Sequence, residues 1–324
     1  MAKRLIAEFE EQSFVQMVFP HPKSDWVEYL EEARENFVAI IDAIRKYERV
    51  VLVCSDVEEA KRYFKSEKNI DFIEYESDDT WARDISAISV CEDGKRVLYD
   101  FEFNAWGGKF AFAKDNALTK ALSSFYNQPI RHFDFILEGG GIETNGKGVL
   151  LTTASCMLNP NRNNFDEATT TQKLKEFFGL DRVHYLRHGY LAGDDTDSHI
   201  DTLVRFVDER TIMYLCCEDR EDEHYKELRA MEEELEVIAK EEDFDLIPLP
   251  FCDAIYFEGE RLPATYANFL IINGAVLVPL YGVKQDAEAL EIFRDFFKDR
   301  DVVGVDCSVL IRQHGSLHCV TMNF

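Results

Sequence analysis

The stretch LVRFVDERTIMYLCCEDREDEHYKELRAMEEELEVIAKEEDFDLI, residues 203–247, contains four predicted elements in a fixed order. Apolar residues dominate Leu203–Val207 and Thr211–Cys216, which predicts two neighbouring strands. The next segment, Glu221–Glu241, repeats its apolar residues every three or four positions, at Leu228, Met231, Leu235 and Ile238. That spacing predicts an amphipathic helix. A strand at Asp245–Ile247 completes the order of strand, strand, helix and strand.

The same order of elements recurs in three other parts of the sequence. The first copy comprises Ile85–Cys91, Val97–Phe103, Asn116–Tyr126 and His132–Ile136. The second comprises Gly141–Glu143, Val149–Thr153, Glu167–Phe178 and Val183–Leu186. The last comprises Phe269–Ile272, Ala275–Val278, Gln285–Phe297 and Val302–Val305. The recurrence indicates a fold built from repeated ββαβ units.

The two ends of the chain supply a fifth copy when they are joined. An apolar strand is predicted at Leu317–Phe324, and the opening segments predict a strand at Phe14–Phe19, a helix at Trp26–Tyr47 and a strand at Val50–Cys54. Val57–Tyr75 adds a helix and a strand outside the scheme. Radial repetition leaves few exposed sheet edges. We therefore predict an α/β fold in which residues 1–324 form a single domain, a five-bladed α/β propeller of ββαβ units with pseudo-fivefold symmetry and a fifth unit shared between the termini. The alternative is an ordinary sandwich of helices on a mixed sheet.

Composition narrows the cellular setting and the classes of partner. The 324 residues contain no apolar run long enough to span a membrane, and the opening MAKRLIAEFEEQS lacks the features of a secretory signal, so we predict a cytoplasmic protein. The eight cysteines include no CxxC pair and are expected to be reduced thiols. The net charge of -26 argues against nucleic acid and anionic membranes as partners, and it is compatible with a cationic substrate.

Chemically active residue types occur where the first strand of each unit begins. If five units surround an axis, these positions converge on one centre. They are Trp81, Arg83, Asp84, Glu138, Gly139, Gly140, Gly141, His199, Asp201, Tyr266, Asn268, His318 and Cys319.

Cys319 and His199 are the candidate nucleophile and acid/base group of this set. Most lone cysteines in strands are small buried hydrophobic residues, and a nucleophilic role requires a base or cation nearby. The alternation of His199, Asp201 and Leu203 predicts that the three side chains share one face of an entering strand. Neighbouring carboxylates would then raise the pKa of His199 and suit it to acid/base chemistry.

Asp84, Trp81 and Glu138 complete the candidate site. A carboxylate such as Asp84 can accept paired hydrogen bonds from a planar guanidinium, and an aromatic such as Trp81 can cover its face. Glu138 could accept a ring proton from His199. The HxD spacing is a poor metal signature, and HExxH, phosphate-loop and dinucleotide motifs are absent from the sequence, so we expect neither a catalytic metal nor a cofactor.

Six stretches distributed over most of the sequence resemble agmatine deiminases and the wider group of bacterial peptidyl-arginine deiminase-like proteins, within the guanidine-modifying pentein superfamily. They are DTWARD (Asp79–Asp84), FNAWGGKF (Phe103–Phe110), LEGGGIETNGKGVLLTTASCMLNPNRN (Leu137–Asn163), GDDTDSHIDTLVRFV (Gly193–Val207), YANFLIINGAVLVPLYG (Tyr266–Gly282) and GSLHCVTM (Gly315–Met322). The resemblance implies five ββαβ units around a pseudo-fivefold axis. Two departures concern the pocket rim, since the family usually has a glycine-proline pair in place of Ile85, Ser86 and Ala87, and a run of glycines in place of RQHGS at 312–316.

The resemblance also implies a role for each candidate residue. Cys319 matches the nucleophile, and His199 matches the acid/base histidine. Asp84 and Asp201 match the carboxylates that hold the guanidinium. Glu138 matches the glutamate that orients the histidine, and Trp81 matches the tryptophan that lines the substrate site.

The expected reaction is hydrolytic deimination of agmatine to N-carbamoylputrescine and ammonia, through a covalent thiouronium on cysteine and without a cofactor. Asp195 and Asp197 are the candidate partners for the ammonium of this small cationic substrate. Alternatives are a deiminase of arginine, peptidyl-arginine or another guanidine compound, an amidinotransferase, and a protein that only binds a guanidinium or another cation. A homodimer is the expected assembly.

Overall fold

The computed structural model describes residues 3–324, so the first two residues of the predicted domain lie outside it. The strands are β1 (Lys3–Leu5), β2 (Val15–Val18), β3 (Val50–Cys54), β4 (Ile70–Glu74), β5 (Ile88–Glu92), β6 (Lys95–Glu102), β7 (Ile130–Ile136), β8 (Glu143–Thr144), β9 (Val149–Thr153), β10 (Arg182–Leu186), β11 (Val204–Phe206), β12 (Thr211–Cys216), β13 (Asp245–Pro250), β14 (Tyr256–Phe257), β15 (Glu260–Arg261), β16 (Leu270–Ile272), β17 (Ala275–Leu280), β18 (Asp301–Asp306) and β19 (Met322–Asn323).

The α-helices vary from single turns to α9, which spans five turns. They are α1 (Leu30–Ile44), α2 (Val57–Lys61), α3 (Ala82–Ile85), α4 (Ala105–Gly108), α5 (Leu118–Ala121), α6 (Ser123–Tyr126), α7 (Ala154–Met157), α8 (Glu167–Phe178), α9 (Tyr225–Glu242) and α10 (Asp286–Phe296). Short 3-10 helices lie at Val27–Tyr29, Asp115–Ala117, Gly139–Gly141, Ile200–Thr202, Tyr266–Asn268 and Leu310–Gln313. Within residues 3–324, every helix is too short or too polar to cross a membrane.

The strands form a mixed α/β fold in which one sheet topology occurs five times. In the sheets β5–β6–β7, β8–β9–β10, β11–β12–β13 and β16–β17–β18, the first strand pairs antiparallel with the middle strand, which pairs parallel with the third. The fifth sheet has the order β19–β2–β3–β4, and β19 pairs antiparallel with β2. The strand, strand, helix, strand order predicted from the sequence is therefore present in the structure.

Helices α8 and α9 show why local sequence determined these elements. The apolar face of α9 is buried as predicted, at Leu228, Met231, Leu235 and Ile238. Helix α8 begins after Asp166, whose side chain accepts a hydrogen bond from Thr169 N, and ends at Gly179 in the left-handed conformation. These two caps satisfy free backbone groups at both ends, so the helix has the predicted bounds.

Two segments that were expected to be extended form turns. Only Met322–Asn323 of the predicted strand Leu317–Phe324 is extended, because the hydroxyl of Thr321 donates to the carbonyls of Leu317 and His318 and stabilises a turn around Cys319. Likewise, Ile200–Thr202 is a 3-10 helix. The prediction that His199, Asp201 and Leu203 alternate along a strand is therefore wrong.

These turns bring the beginnings of the five sheets together. Helix α3 contacts the turn at Gly139–Gly141, which contacts Ile200–Thr202, which in turn contacts Tyr266–Asn268. The segment around Cys319 joins the two ends of this series, because Arg83 N donates to Cys319 O at 3.1 Å and His318 N donates to the side chain of Asn268 at 2.8 Å.

Candidate active site

A cavity of about 210 Å³ opens where the turns meet. It contains Trp81, Asp84, His199, Cys319 and Asp195, all of which were predicted site residues. Its remaining lining residues are Asp25, Asp79, Trp106, Phe110, Asp194, Thr196, Thr202, Gln313, His314 and Gly315. The other predicted site residues are Asp201, Glu138 and Asp197. They are not among the described residues that line this cavity.

Asp84 is a buried carboxylate whose two oxygens are held in place. Oδ1 accepts a hydrogen bond from Gly140 N, and Oδ2 accepts one from Trp106 Nε1, both at 2.9 Å. Burial raises the pKa of Asp84, although His199 opposes this change. Trp106 was not among the predicted site residues. Its only signal in the sequence was its position in the stretch FNAWGGKF, which resembles the family.

Gly140 shows how closely the polar groups converge. A Cβ atom at this position would lie 2.6 Å from Nδ1 of His199, 3.0 Å from Oδ1 of Asp84 and 3.1 Å from Oδ2 of Asp201. The triple glycine of the sequence therefore allows the backbone to approach the acid/base histidine and both candidate guanidinium ligands.

Asp201 is completely buried and is not among the described residues that line the cavity, but it approaches Gly140 together with Asp84 and His199. Its Oδ2 accepts a hydrogen bond from His318 Nδ1 at 2.7 Å, whereas Oδ1 has no hydrogen-bond partner among residues 3–324. Burial would raise the pKa of Asp201, but the bond from His318 outweighs it and lowers the pKa. An ionised carboxylate with one unused oxygen suits the binding of a cationic N–H donor.

His199 is buried and faces both Asp84 and Cys156. Nδ1 lies 3.7 Å from Asp84 Oδ2, and Nε2 has no hydrogen-bond partner within the described chain. Burial lowers the pKa of His199, but the charges of Asp84 and Cys156 more than compensate and place it well above its ordinary value. This shift favours the protonated form of His199, in which the ring can act as an acid.

Glu138 does not form the predicted hydrogen bond with His199. Its Oε1 accepts from Arg162 Nε at 3.0 Å, and both side chains are buried. Glu138, Cys156 and His199 nevertheless have ligand atoms within 4.8 Å of one another, the one such group of potential metal ligands in residues 3–324. The Arg162 guanidinium opposes a metal cation there.

Cys319 is buried beside the carboxylates rather than beside a cation. Its thiol lies 3.5 Å from Oδ1 of Asn268. Burial, together with Asp201 and Asp84, raises the pKa of Cys319 well above its ordinary value. A thiolate at this position therefore requires a positive charge close to these groups.

Trp81 forms part of the cavity wall. Its Nε1 donates to Asp79 Oδ2 at 2.9 Å, and its ring packs against Trp26 with centroids 5.7 Å apart. A Cβ atom at Gly315 would lie 2.1 Å from the Trp81 ring, which explains the glycine before the nucleophile turn.

Asp195 and Asp197 have different environments. Asp195 lines the cavity, and burial together with Asp194 raises its pKa. Asp197 instead forms ion pairs with Arg162 and Lys109. These bonds lower the pKa of Asp197 despite its partial burial. Asp195 is therefore placed where it could contact a ligand in the cavity, whereas the Asp197 carboxylate is already occupied.

The cavity rim departs from the family pattern at His314. This residue adopts the left-handed conformation with φ of 65°, which glycine adopts readily. Its Nδ1 lies 2.7 Å from Gly193 O and donates to that carbonyl. An imidazole is thus placed at the cavity rim by a backbone geometry typical of glycine.

Comparisons with known proteins identify the family to which this chain belongs. Residues 4–324 match the Porphyromonas-type peptidyl-arginine deiminase family. An agmatine deiminase from Pseudomonas aeruginosa is 30% identical over 98% of this chain and 94% of its own. A cysteine-to-serine variant of a C. jejuni agmatine deiminase with substrate bound is 42% identical, with a TM-score of 0.96 over 99% of this chain and 96% of its own. A Porphyromonas gingivalis protein provisionally described as an arginine deiminase is 46% identical, with a TM-score of 0.95 over 100% of this chain and 98% of its own. The chain belongs to the Porphyromonas-type peptidyl-arginine deiminase family.

Proposed function

We propose that this protein is an agmatine deiminase, which hydrolyses the guanidinium of agmatine to give N-carbamoylputrescine and ammonia. One observation carries the proposal: two buried carboxylates, Asp84 and Asp201, flank the Cys319 thiol, and Asp201 Oδ1 has no partner among the described residues. The agmatine deiminase names of similar proteins support the same substrate.

The substrate guanidinium would occupy the space between Asp84 and Asp201. Its N–H groups can donate to the free oxygen of Asp201 and to Asp84, whose bonds to Gly140 and Trp106 keep it oriented. Trp81 and Trp106 line the same cavity and can cover the planar cation. Charge pairing with both carboxylates offsets the desolvation of the guanidinium.

The bound cation would also activate the nucleophile. Asp84 and Asp201 raise the pKa of Cys319, so neutralising their charge favours the thiolate. The thiolate attacks the central carbon and forms a C–S bond. His199 then gives its proton to one terminal nitrogen, and the C–N bond breaks to release ammonia. A thiouronium remains on Cys319.

Hydrolysis of the thiouronium would use His199 in its neutral form. His199 takes a proton from water, the resulting hydroxide attacks the same carbon, and the C–S bond breaks to restore the thiolate. The ureido group of the product is neutral, and the remaining proton leaves with ammonia as ammonium. The two steps share one acid/base group and one nucleophile.

Acidic side chains in the lining of the cavity favour agmatine over arginine. Asp195, Asp25 and Asp79 line the cavity, and their carboxylates suit the primary ammonium of agmatine. Within residues 3–324, the cavity lining contains no arginine or lysine that could bind the α-carboxylate of arginine. We propose Asp195 as the main ammonium ligand because it reaches the cavity from the loop that also carries His199.

Arginine remains the second candidate substrate because of His314. The His314 ring lines the cavity and could contact the α-carboxylate of arginine, and the P. gingivalis relative is described provisionally as an arginine deiminase. Peptidyl-arginine, amidine transfer to an amine and guanidinium binding without turnover are further alternatives.

The deciding experiment is an ammonia-release assay with agmatine and arginine in parallel. We expect release from agmatine and none with the Cys319→Ala variant. Preferential release from arginine would replace the proposed substrate. Release of amidine to an added amine, without ammonia, would indicate an amidinotransferase, and silence with tight agmatine binding would indicate a binding protein.

We also propose that the five sheets form one domain arranged as a five-bladed α/β propeller. Contacts between successive turns and the bond from Arg83 N to Cys319 O support a closed ring around the cavity. We propose a cytoplasmic homodimer as its form. The eight cysteines are unpaired in the described chain, which fits a reducing compartment, and light scattering would test the dimer.

A further inference from the structure

A series of buried charged groups extends from Asp201 on the side away from the cavity. Asp201 Oδ2 lies 2.7 Å from His318 Nδ1, and His318 Nε2 lies 2.6 Å from Glu8 Oε2. The His318 and Asp201 side chains are 2% and 0% exposed. Each ring nitrogen thus faces a carboxylate oxygen, an arrangement that suits an imidazolium, which donates from both nitrogens.

Glu8 is fixed in its ionised form at the far end of this series. Its Oε1 accepts from Ile271 N at 2.8 Å and lies 2.8 Å from Arg205 Nη2. Its Oε2 also lies 3.1 Å from Arg83 Nη2. Two guanidinium groups therefore surround the carboxylate that stabilises the His318 charge.

His318 contacts Asp201, the proposed ligand of the guanidinium, and it directly precedes Cys319, the proposed nucleophile. Its ring holds one oxygen of Asp201, which leaves the buried Oδ1 without a partner among residues 3–324. Its backbone N donates to Asn268 Oδ1 at 2.8 Å, and the thiol of the next residue, Cys319, lies 3.5 Å from the same oxygen. One residue thus sets the position of Asp201 relative to the thiol.

We propose that His318 is a positioning residue for deimination: it holds Asp201 ionised and directed toward the substrate guanidinium, and Glu8 acts through it. The proposal rests on the proposed function, since it assigns a role in binding the same guanidinium. A purely structural role would instead make the cluster contribute only to folding.

The decisive kinetic variant is His318→Gln, which removes the positive charge and retains an amide. A hydrogen bond to a charged group typically contributes enough that its loss should raise KM for agmatine roughly 10- to 100-fold. We expect kcat to change much less, because Cys319 and His199 are unaltered. A fall in thermal stability with unchanged KM would overturn the proposal.

The pH profile separates charge from packing. Without the charge of His318, burial raises the pKa of Asp201. Protonated Asp201 cannot hold the cation, so the acid limb of kcat/KM should move to higher pH. The titratable or charged groups near Asp201 and His318 are His199, Asp84, Arg83, Arg205, Glu8, Glu143 and Cys319. All of them remain in the variant, and an unmoved acid limb would contradict the proposal.

If His318→Gln does not fold, Glu8→Gln tests the carboxylate on the other side of the His318 ring. It keeps an oxygen for Ile271 N but loses the charge that stabilises the imidazolium. We expect the same direction of change in KM and in the acid limb, and Glu10→Gln is the matched control because Glu10 pairs with Arg4 instead. Equal effects of Glu8→Gln and Glu10→Gln on KM and on the acid limb would contradict the proposed action of Glu8 through His318.

Proton NMR of the wild-type protein without substrate provides a readout independent of turnover. A histidine N–H shared with a carboxylate should give a far-downfield resonance, which should vanish in His318→Gln and shift in Glu8→Gln. If this resonance is present but the protein does not deiminate agmatine, the proposed function is rejected, whereas the charged contacts of His318 with Glu8 and Asp201 are supported. If the resonance is absent but the enzyme is active, only the proposed role of His318 is rejected.

Discussion

Asp84 and Asp201 face the same small region of the site, but their surroundings act on them in opposite directions. Burial raises the pKa of Asp84, whereas His318 lowers that of Asp201. A guanidinium would therefore meet one carboxylate whose surroundings favour its ionised form and one whose burial opposes it, and the positive charge of the guanidinium would stabilise both anions. The same cation would relieve the electrostatic penalty on the Cys319 thiolate.

Thiolate formation on substrate binding can be measured directly. In the His199→Gln variant, which cannot protonate the leaving nitrogen, we expect agmatine to bind and to increase the ultraviolet absorbance of a thiolate. The reason is that the cation neutralises Asp84 and Asp201, the charges that raise the pKa of Cys319. The same titration of the double variant His199→Gln/Cys319→Ser should show no increase. An equal increase in both proteins would contradict the assignment of the absorbance to the Cys319 thiolate.

Asp195 and Asp197 provide a second test at the residue scale. Asp195→Asn should raise KM for agmatine about 10-fold, the loss typical of one charge-assisted hydrogen bond. Asp197→Asn should leave KM unchanged, because the Asp197 carboxylate pairs with Arg162 and Lys109. Steady-state kinetics would measure both, and a larger effect of Asp197→Asn would restore the assignment made from the sequence.

The sequence identified residues whose chemistry is intrinsic and missed those whose role depends on a partner. Cys319, His199, Asp84 and Trp81 were found because a thiol, an imidazole, a carboxylate and an indole each suggest chemistry, and they line the cavity. Arg162 was missed because its role is a bond to Glu138, 24 positions away, across a loop. Local spacing carries no signal for such a contact.

At the scale of the element, prediction succeeded where the determining interactions are local. Helix α8 is defined by Asp166 at one end and Gly179 at the other, and both signals are in the sequence. The turn at Ile200–Thr202 is instead held by neighbouring turns of other sheets. Its alternating sequence suggests a strand, and tertiary contacts override that preference.

The end of α8 supplies a prediction about stability. Gly179 has φ of 66°, and a Cβ atom there would lie 2.3 Å from Lys3 O. Gly179→Ala should lower the free energy of unfolding by more than the roughly 1 kcal/mol expected from left-handed strain alone. Urea unfolding would measure this change.

Gly259→Ala is the control for that substitution. Gly259 also has positive φ, at 89°, but no described atom lies within 4 Å of the position of its added Cβ. The control should lose only the energy of backbone strain. Equal losses at the two positions would show that the approach to Lys3 contributes nothing.

At the scale of the molecule, contacts between units should make stability depend on pH. Glu48 Oε2 accepts from Asn273 N, which joins the segment after α1 to the sheet containing β16. Burial raises the pKa of Glu48 to about 7, and burial also raises those of Asp115 to about 7 and Asp79 to about 8. For such acids the folded state binds more protons than the unfolded state, so stability falls as pH rises.

Glu48→Gln should reduce this dependence. Ionisation of wild-type Glu48 is penalised progressively between its ordinary pKa of 4.5 and about 7, so the neutral variant should gain stability relative to wild type over that range. We expect the gain between pH 5 and pH 8 to be roughly 1–3 kcal/mol, from urea unfolding at each pH. The exposed Glu11→Gln should show no such gain, and parallel curves for Glu48→Gln and wild type would contradict the prediction.

The pairing of β19 with β2 has a consequence for biosynthesis. Domains usually begin to fold from the N-terminal side while the ribosome is still translating. Here β2 begins at Val15, but its antiparallel partner begins at Met322, so the nascent chain exposes one edge of the β2–β3–β4 sheet until nearly all of these residues have emerged. Because Cys319 lies three residues before β19, the proposed nucleophile enters its turn at the same late stage. The catalytic centre is therefore assembled after translation of the units around it, which withholds reactivity from an incomplete polypeptide.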